Sequence, residues 1–585
     1  MTLNGSEIIV KSLVDSGVEV IFGYPGGAVL PLYDEIFKQN HLRHILVRHE
    51  QGAAHAAEGY ARSTGKIGVV LVTSGPGATN TVTGLADAYL DSIPLLCITG
   101  QVATPLMGSD AFQEADTVGI TRSCTKHNYL VKDINDLERV IKEAIYIATT
   151  GRPGPVVIDI PKDIQIISSE YKNIKKVSRE SYHVTHNASE KIISEAVELI
   201  AKAKNPVFYT GGGVINSGKE ASKLLTKFVH MTGYPITNTL MGLGSFPARD
   251  EHFLGMLGMH GSREANMCMH ECDVMINIGA RFDDRITGKL DKFSPNSKKI
   301  HIDIDPSSIN KNILVDIPII GDAKQILEQM IAVWDKYKDL QDKQALAKWW
   351  DKIHAWRKQK SFTYNQPEDG LAKPQYVLDI LNKLLAKRDS YVTTDVGQHQ
   401  MWSAQFLQFE EPNRWMTSGG LGTMGYGLPA AVGTQIAHPK ATVVCVTGEA
   451  SIMMNIQELS TAVQYRLPVK ILILNNHYMG MVRQWQEMFF GDRHSESYMD
   501  ALPDFVKLAE AYGMTGLRGE TAADVEAVLE KMLNTDGPVI VDMIVDPKEN
   551  VYPMIPAGAG HHEMEFGPMD KKQIDANDED ARMQV

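Results

Sequence analysis

An acid and an amide carry the first chemical signal in this chain. Glu449 follows an apolar, β-branched run from Val443 to Thr447, and Asn476 closes a second such run from Val469 to Leu474. Each run reads as a buried strand of a parallel sheet, and the segment between them has helical periodicity through Leu459 and Val463. A carboxylate and a carboxamide therefore stand at the carboxyl ends of two neighbouring strands. Mg²⁺ demands near-octahedral oxygen ligands and shares them between a few protein oxygens and phosphates. One carboxylate, one amide and one backbone carbonyl form a sufficient protein set. The turn Gly448-Glu449-Ala450-Ser451 opens a helix whose free N–H groups and positive dipole end suit a diphosphate. Taken alone, the stretch is equally well explained as an ordinary strand-helix-strand crossover with an exposed acid.

The stretch also resembles the signature of the thiamine diphosphate enzymes, Gly-Asp-Gly followed further on by Asn-Asn. Here it stands as Gly448-Glu449-Ala450 and Asn475-Asn476, with Glu for the family's Asp and Ala for its second Gly. The resemblance implies Mg²⁺ held by Glu449, Asn476 and the carbonyl oxygen of Tyr478, and thiamine diphosphate touched by Ala450 and Ser451. Because Glu is one methylene longer than Asp, a change in metal affinity or choice is expected.

The elements that must position these groups are legible on both sides. In residues 1–175, short apolar runs at Val20 to Phe22, Ile45 to Val47, Val69 to Val72, Leu95 to Thr99 and Val156 to Asp159 alternate with helical patterns, the layout of a parallel α/β sheet. Ligands gather at the carboxyl ends of such strands, where this chain places GYPGGA at 23–28, RHEQGAAHAAEGYAR at 48–62, TSGPGATN at 73–80 and TGQ at 99–101, whereas DAFQEAD at 110–116 would by itself read as surface. Glu50 would ordinarily cap the helix it opens. The string around it resembles the pyrimidine-binding domain of the same enzymes, which implies that Glu50 donates to the aminopyrimidine and is poorly solvated, since burial raises a carboxyl pKa. Gly27, Phe112, Gln113 and Lys162 are implied as lining the pocket for the second substrate.

Residues 185–345 start a new α/β pattern. Pro206 to Tyr209 leads into Gly211-Gly212-Gly213, Val274 to Ile278 into GARFDDRITG at 279–288, and Lys299 to Ile304 ends at HIDID. A glycine run after a strand lets a nucleotide touch backbone, although Gly-rich turns are common. The arginines and aspartates of the second loop also suit a surface ion-pair network. Together with TNTLMGLG at 237–244 and LGMHG at 257–261, these runs closely resemble the FAD-binding domain of the acetohydroxyacid synthase catalytic subunits. The resemblance implies FAD contacts at Arg152, Gly211, Gly212, Gly213, Thr239, Leu240, Arg281, Asp283, Arg285, Asp303 and Asp322, with the flavin structural, and gives Arg281 the carboxylate of the acceptor substrate.

A charged stretch with Trp349, Trp350 and Trp356 reads as a strap between domains over the linker, residues 346–373. The diphosphate-binding domain is expected over 374–550. There the resemblance turns Gln398 and His399 towards the diphosphate, sets Met424 beneath the cofactor, and has Met481 and Trp485 shape a pocket that favours 2-oxobutanoate. A mobile C-terminal tail is expected over 551–585. The fold class is α/β, with three doubly wound parallel-sheet domains.

Composition narrows the setting. The chain has 585 residues, 43% of them hydrophobic and 22% charged, and a net charge of −13, with a mean hydropathy of −0.17. The negative balance argues against nucleic acid, and no apolar run approaches the roughly 20 residues of a membrane span. Five scattered cysteines suggest free thiols and a cytoplasmic setting; Cys268 and Cys272, four apart on a helix pattern, lack the further ligands of a metal site. The amphipathic pattern from Gly5 to Ser16 follows no leader signal, so the mature chain is expected to start near Met1. The resemblance implies decarboxylation of pyruvate and transfer of its hydroxyethyl group to pyruvate or 2-oxobutanoate, the first common step towards the branched-chain amino acids. It also implies a homodimer or homotetramer whose active site lies between chains, and a small regulatory subunit. A flavin-dependent pyruvate oxidase and a metal-impaired, non-catalytic scaffold are the alternatives.

Overall fold

The computed structural model describes residues 1–567. Three six-stranded sheets, every one parallel throughout, follow one another along the chain. The first holds β1 (Val20–Gly23), β2 (Arg43–Leu46), β3 (Gly68–Val72), β4 (Leu95–Gln101), β5 (His127–Leu130) and β6 (Pro155–Pro161), in the spatial order β2-β1-β3-β4-β6-β5. The second holds β7 (Pro206–Thr210), β8 (Ile236–Asn238), β9 (Phe253–Met256), β10 (Val274–Ile278), β11 (Lys298–Asp303) and β12 (Ile317–Ile320), ordered β9-β8-β7-β10-β11-β12. This is the dinucleotide-binding order, with its topological switch between the first and fourth strands. The third holds β13 (Ser390–Thr394), β14 (Trp415–Met416), β15 (Thr442–Thr447), β16 (Lys470–Asn475), β17 (Thr515–Gly519) and β18 (Val539–Ile544), ordered β14-β13-β15-β16-β18-β17. The first and third sheets thus share one strand order. The strands β3, β4, β6, β7 and β10 are buried along their whole length, as sheets covered by helices on both faces require.

Five helices frame the functional regions: α1 (Glu50–Thr64), α2 (Lys219–Thr232), α3 (Lys343–Arg357), α4 (Gly427–Ala437) and α5 (Gly480–Phe489). α1 and α4 occupy the same place in their respective sheets, each joining the second strand to the third. They pack antiparallel through small residues: a Cβ on Gly59 would collide with the carbonyl oxygen of Ala430, and one on Gly433 with that of Ala56. Their contact merges the two domains into one hydrophobic cluster, which takes in Phe22, Tyr60, Tyr426 and Phe505. Polar ties reinforce it. Glu458 accepts the backbone N–H groups of Arg48 (2.9 Å) and His49 (3.1 Å), and Asp91 accepts those of Gly419 (3.0 Å) and Gly420 (2.7 Å).

Three expectations change. The helix through Leu459 and Val463 is broken: it starts at Glu449, passes through a 3-10 turn at Met453–Asn455 and resumes at Glu458–Gln464. A four-residue first segment carries little dipole, so free N–H groups remain but the long-helix field does not. The tryptophan strap does not lie between domains. α3 packs on the central domain, where Trp349 Nε1 donates to Pro206 O (3.0 Å) and Trp350 Nε1 to Gly233 O (2.9 Å). Within the expected tail, Val551, Met554, Ile555 and His561 are buried; Ile555 N donates to Met259 O (2.8 Å) and His561 Nε2 to Ile286 O (2.7 Å). This part of the tail is docked, because it supplies apolar side chains and donors to the central domain. The rest of the expected tail lies outside the described residues. Among the described residues no helix is long and apolar enough to cross a membrane, and all five cysteines are buried and free.

Candidate functional site

The carboxyl ends of the second and third sheets open onto one cavity of about 1500 Å³. On the third sheet the switch point lies between β13 and β15, and the groups expected there meet. Glu449 is almost fully buried, 1% exposed, and its Oε1 has no hydrogen-bond partner. Burial pushes its carboxyl up to about 8, against the pull of backbone N–H groups at Glu449, Tyr478 and Asn476. A divalent cation beside such a carboxylate favours the ionised form. Asn476 Oδ1 accepts from Tyr478 N (3.0 Å), which folds the Asn476-His477-Tyr478 turn towards Glu449. His399 is buried, its Nε2 is also unpartnered, and burial depresses its imidazole to about 3. Ala450, Ser451, Gln398, Met424, Met481 and Trp485 line the same space. An unpaired carboxylate oxygen beside an amide and a turn of backbone fits a hard cation.

On the second sheet the switch lies between β7 and β10. Gly213 meets Gly279 backbone to backbone, since a Cβ on Gly213 would come within 2.7 Å of the Gly279 Cα. Gly279 itself has φ +65°, a conformation open to glycine. The opposed glycines leave a cradle free of side chains, as a dinucleotide phosphate requires. Arg152, Gly211, Gly212, Thr239, Leu240, Arg281, Asp283, Arg285, Asp303 and Asp322 line the cavity around it. Several have work inside the fold. Asp322 caps the helix Ala323–Trp334 and accepts from Ser217 Oγ (2.7 Å). Thr239 caps the turn Leu240–Gly242. Arg152 bonds Ser92 Oγ (2.8 Å) and Asp305 (3.3 Å). Arg281 donates to Leu90 O (2.7 Å) and to Asp283 (3.0 Å), so the ion pairs expected of a surface network do form, but at the cavity wall.

Glu50, Gly27, Phe112, Gln113 and Lys162 do not line this cavity. They belong to the first sheet, where Glu50 begins α1 and Lys162 begins the helix Lys162–Ile166 after β6. Glu50 does not cap its helix; His49 does, through Nδ1 accepting Gln51 N (3.1 Å). The carboxylate of Glu50 instead accepts from Asn80 Nδ2 (2.9 Å) and stays partly exposed, so this chain alone does not supply the poor solvation expected of it. Gln113 adopts φ +61° beside Gly75, and Phe112 is 88% exposed. The expected site residues therefore fall into two sets in one chain.

Two residues escaped the sequence reading. Asp395, buried after β13, accepts from Gly425 N (2.6 Å) and Thr447 Oγ1 (3.0 Å), holding two cavity loops together. It is an acid at a strand end, the same signal that marked Glu449. Gln484 accepts from Gln398 Nε2 (2.9 Å) and from Val551 N (2.9 Å), and Asn476 Nδ2 donates to Gln398 Oε1 (3.2 Å). This amide chain links Asn476 to the docked C-terminal segment, and no local pattern announces it.

Comparison with known proteins matches this division. Family models described as the N-terminal, central and C-terminal domains of thiamine pyrophosphate enzymes match residues 3–120, 193–330 and 395–543; the first and last are described as TPP binding domains. An acetolactate synthase large subunit of Buchnera aphidicola is 52% identical over 567 residues, 96% of this chain and 98% of that protein. One of Haemophilus influenzae is 50% identical over 565 residues, again 96% and 98%. The acetolactate synthase isozyme 3 large subunit of Escherichia coli is 51% identical over 567 residues, with the same coverage.

Proposed function

We propose a function from one premise: the chain belongs to the thiamine pyrophosphate enzymes, and within them to the acetolactate synthase large subunits. It is the catalytic subunit that decarboxylates pyruvate and transfers the hydroxyethyl group to pyruvate or 2-oxobutanoate, at the entry to branched-chain amino-acid synthesis. Thiamine diphosphate supplies the electron sink for the decarboxylation. The observation that carries the reading at the level of residues is the unpaired, buried Oε1 of Glu449 beside Asn476 and Tyr478 at the third sheet's switch point.

The residue roles are those that the family resemblance implies. Glu449, Asn476 and the Tyr478 carbonyl would hold Mg²⁺, and Ala450, Ser451, Gln398 and His399 would receive the diphosphate. Met424, in the cavity wall, would pack against the cofactor. Glu50, whose carboxylate Asn80 orients, would hold a proton for the aminopyrimidine. Because Glu50 does not line the cavity that holds Glu449 in its own chain, a second copy would bring Glu50 there, and the assembly would be a homodimer or a multiple of it. Gly27, Phe112, Gln113 and Lys162 come with Glu50 and line the acceptor side, opposite Met481 and Trp485; Arg281 offers its guanidinium to the acceptor's carboxylate. The glycine cradle and its arginines hold a structural FAD. A small regulatory subunit completes a large one, and the buried free thiols suit the cytoplasm.

The test is acetolactate formation from pyruvate by the purified chain, titrated with thiamine diphosphate and Mg²⁺, with the flavin spectrum followed anaerobically. Turnover that needs both additions while the flavin stays oxidised is expected. Flavin bleaching by pyruvate would establish an oxidase instead, and absence of turnover at saturating metal and cofactor would establish a scaffold.

A further inference from the structure

We propose that His230, Asp250 and His252 form a binding site for a late first-row divalent cation of the zinc class, at the amino end of the central sheet's edge strand and remote from the cavity. His230 lies in the last turn of α2, while Asp250 and His252 lie on the loop that enters β9. His230 Nε2 stands 2.7 Å from Asp250 Oδ2, and His252 Nδ1 stands 2.8 Å from Asp250 Oδ1. The donor atoms of the three side chains all lie within 4.8 Å of one another. None of the three lines the cavity, which opens at the carboxyl ends of the strands.

Donor type selects the ion. Two imidazoles and one carboxylate suit Zn²⁺, Cu²⁺ or Ni²⁺, whereas Mg²⁺ prefers an all-oxygen shell. Zinc needs its nitrogens at about 2.0–2.1 Å, so each imidazole must draw back from the Asp250 oxygen it now bonds to admit the ion between them. Their backing is already in place. His252 N donates to Asp250 Oδ1 (2.9 Å), which fixes the carboxylate as an outer-shell bond does in known metal sites. The His252 ring packs edge-on against Trp350 at 5.7 Å, and the His230 ring against Phe246 at 6.2 Å. The His230 side chain is 49% exposed, which leaves an entry path and room for water on the open side of the ion. In the apo form each imidazole donates its proton to Asp250. On binding, each ring carries its proton on the other nitrogen, so the ion takes the place of two shared protons with no net change of charge on the rings.

Trp350 provides a readout independent of turnover. In the full-length protein with excess Mg²⁺ present, one Zn²⁺ per chain is expected by calorimetry, and Cu²⁺, a quencher at the same site, is expected to dim tryptophan emission, with Zn²⁺ added beforehand raising the Cu²⁺ concentration the quench requires. His230→Ala and His252→Ala should each weaken zinc binding at least about tenfold, the scale on which metal-site changes act. Trp350→Phe should abolish the quench and keep the zinc isotherm. Unchanged thermal midpoints show that the variants are folded, and Asp250→Asn, nearly isosteric, serves where an alanine variant unfolds. Zinc binding that is equal in wild type and in the His230→Ala/His252→Ala double variant, or absent from both, overturns the proposal.

Discussion

Glu449 and Glu50 are both strand-end acids, yet their surroundings assign them opposite tasks. Glu449 is buried with an orphan oxygen, so removing its charge should remove a ligand while leaving the packing intact. Glu449→Gln is expected to weaken Mg²⁺-dependent thiamine diphosphate binding at least about tenfold, as loss of a charged ligand does, and Glu449→Asp to retain it; calorimetric titration decides. Glu50 touches no group of the cavity in its own chain. Glu50→Gln should bind cofactor normally and lose about 10²–10⁴-fold in turnover, the usual worth of a positioned proton donor, which steady-state acetolactate assays measure.

At the scale of elements, the α1–α4 crossing sets how the first and third domains meet. Gly433→Ala adds a methyl where the Ala56 carbonyl already stands. Overpacking of this kind costs about 1–3 kcal/mol, more than the roughly 1 kcal/mol that alanine gains over glycine in a helix. A lower first unfolding midpoint is expected by calorimetry. The docked C-terminal segment is the second such element. His260 Nδ1 stands 3.1 Å from Pro553 O, His561 donates to Ile286 O, and burial depresses both imidazoles to about 4. An imidazole depressed in the folded state takes up its proton more readily when released. Its contribution to docking is therefore complete above its ordinary value near 6.5 and lost as pH falls towards 4. Protection of the amides of residues 551–567 from hydrogen exchange, relative to their intrinsic rates at each pH, should fall between pH 6.5 and 4, and His561→Gln, which keeps a donor but cannot charge, should flatten that dependence.

For the whole molecule, the separation of the two residue sets within one chain leads to a complementation test. Glu50→Gln and Glu449→Gln chains, each impaired alone, are mixed, dissociated and reassociated at a cofactor concentration that saturates only the intact site. If the active site lies between chains, random pairing into two-fold dimers restores about a quarter of wild-type activity, since half the dimers carry one intact site of two. If both acids served from one chain, every site would keep a defect and mixing would restore nothing.

Much of this was legible from residues alone. The long, fully buried central strands announce themselves as apolar β-branched runs, and Glu449, Asn476, Glu50 and the glycine loops stand at their ends, because parallel strands must bury both faces and leave chemistry to their carboxyl termini. The short strands β5, β8, β9, β12 and β14 escaped, since two to four residues, several half-exposed or polar, leave no periodic trace, and so did β17 and the buried β18, whose apolar run Asp542 interrupts and whose place in the sheet only its pairing with β16 reveals. So did the shared strand order of the first and third sheets, which no repeat in the sequence reports. Only tertiary structure could decide that the α1–α4 crossing joins those sheets, that the second and third sheets face one cavity, that the tryptophan helix belongs to the central domain, that the C-terminal segment docks, and that Glu50 stands apart from Glu449. Each depends on contacts between residues far apart in the chain, and local pattern carries no record of them.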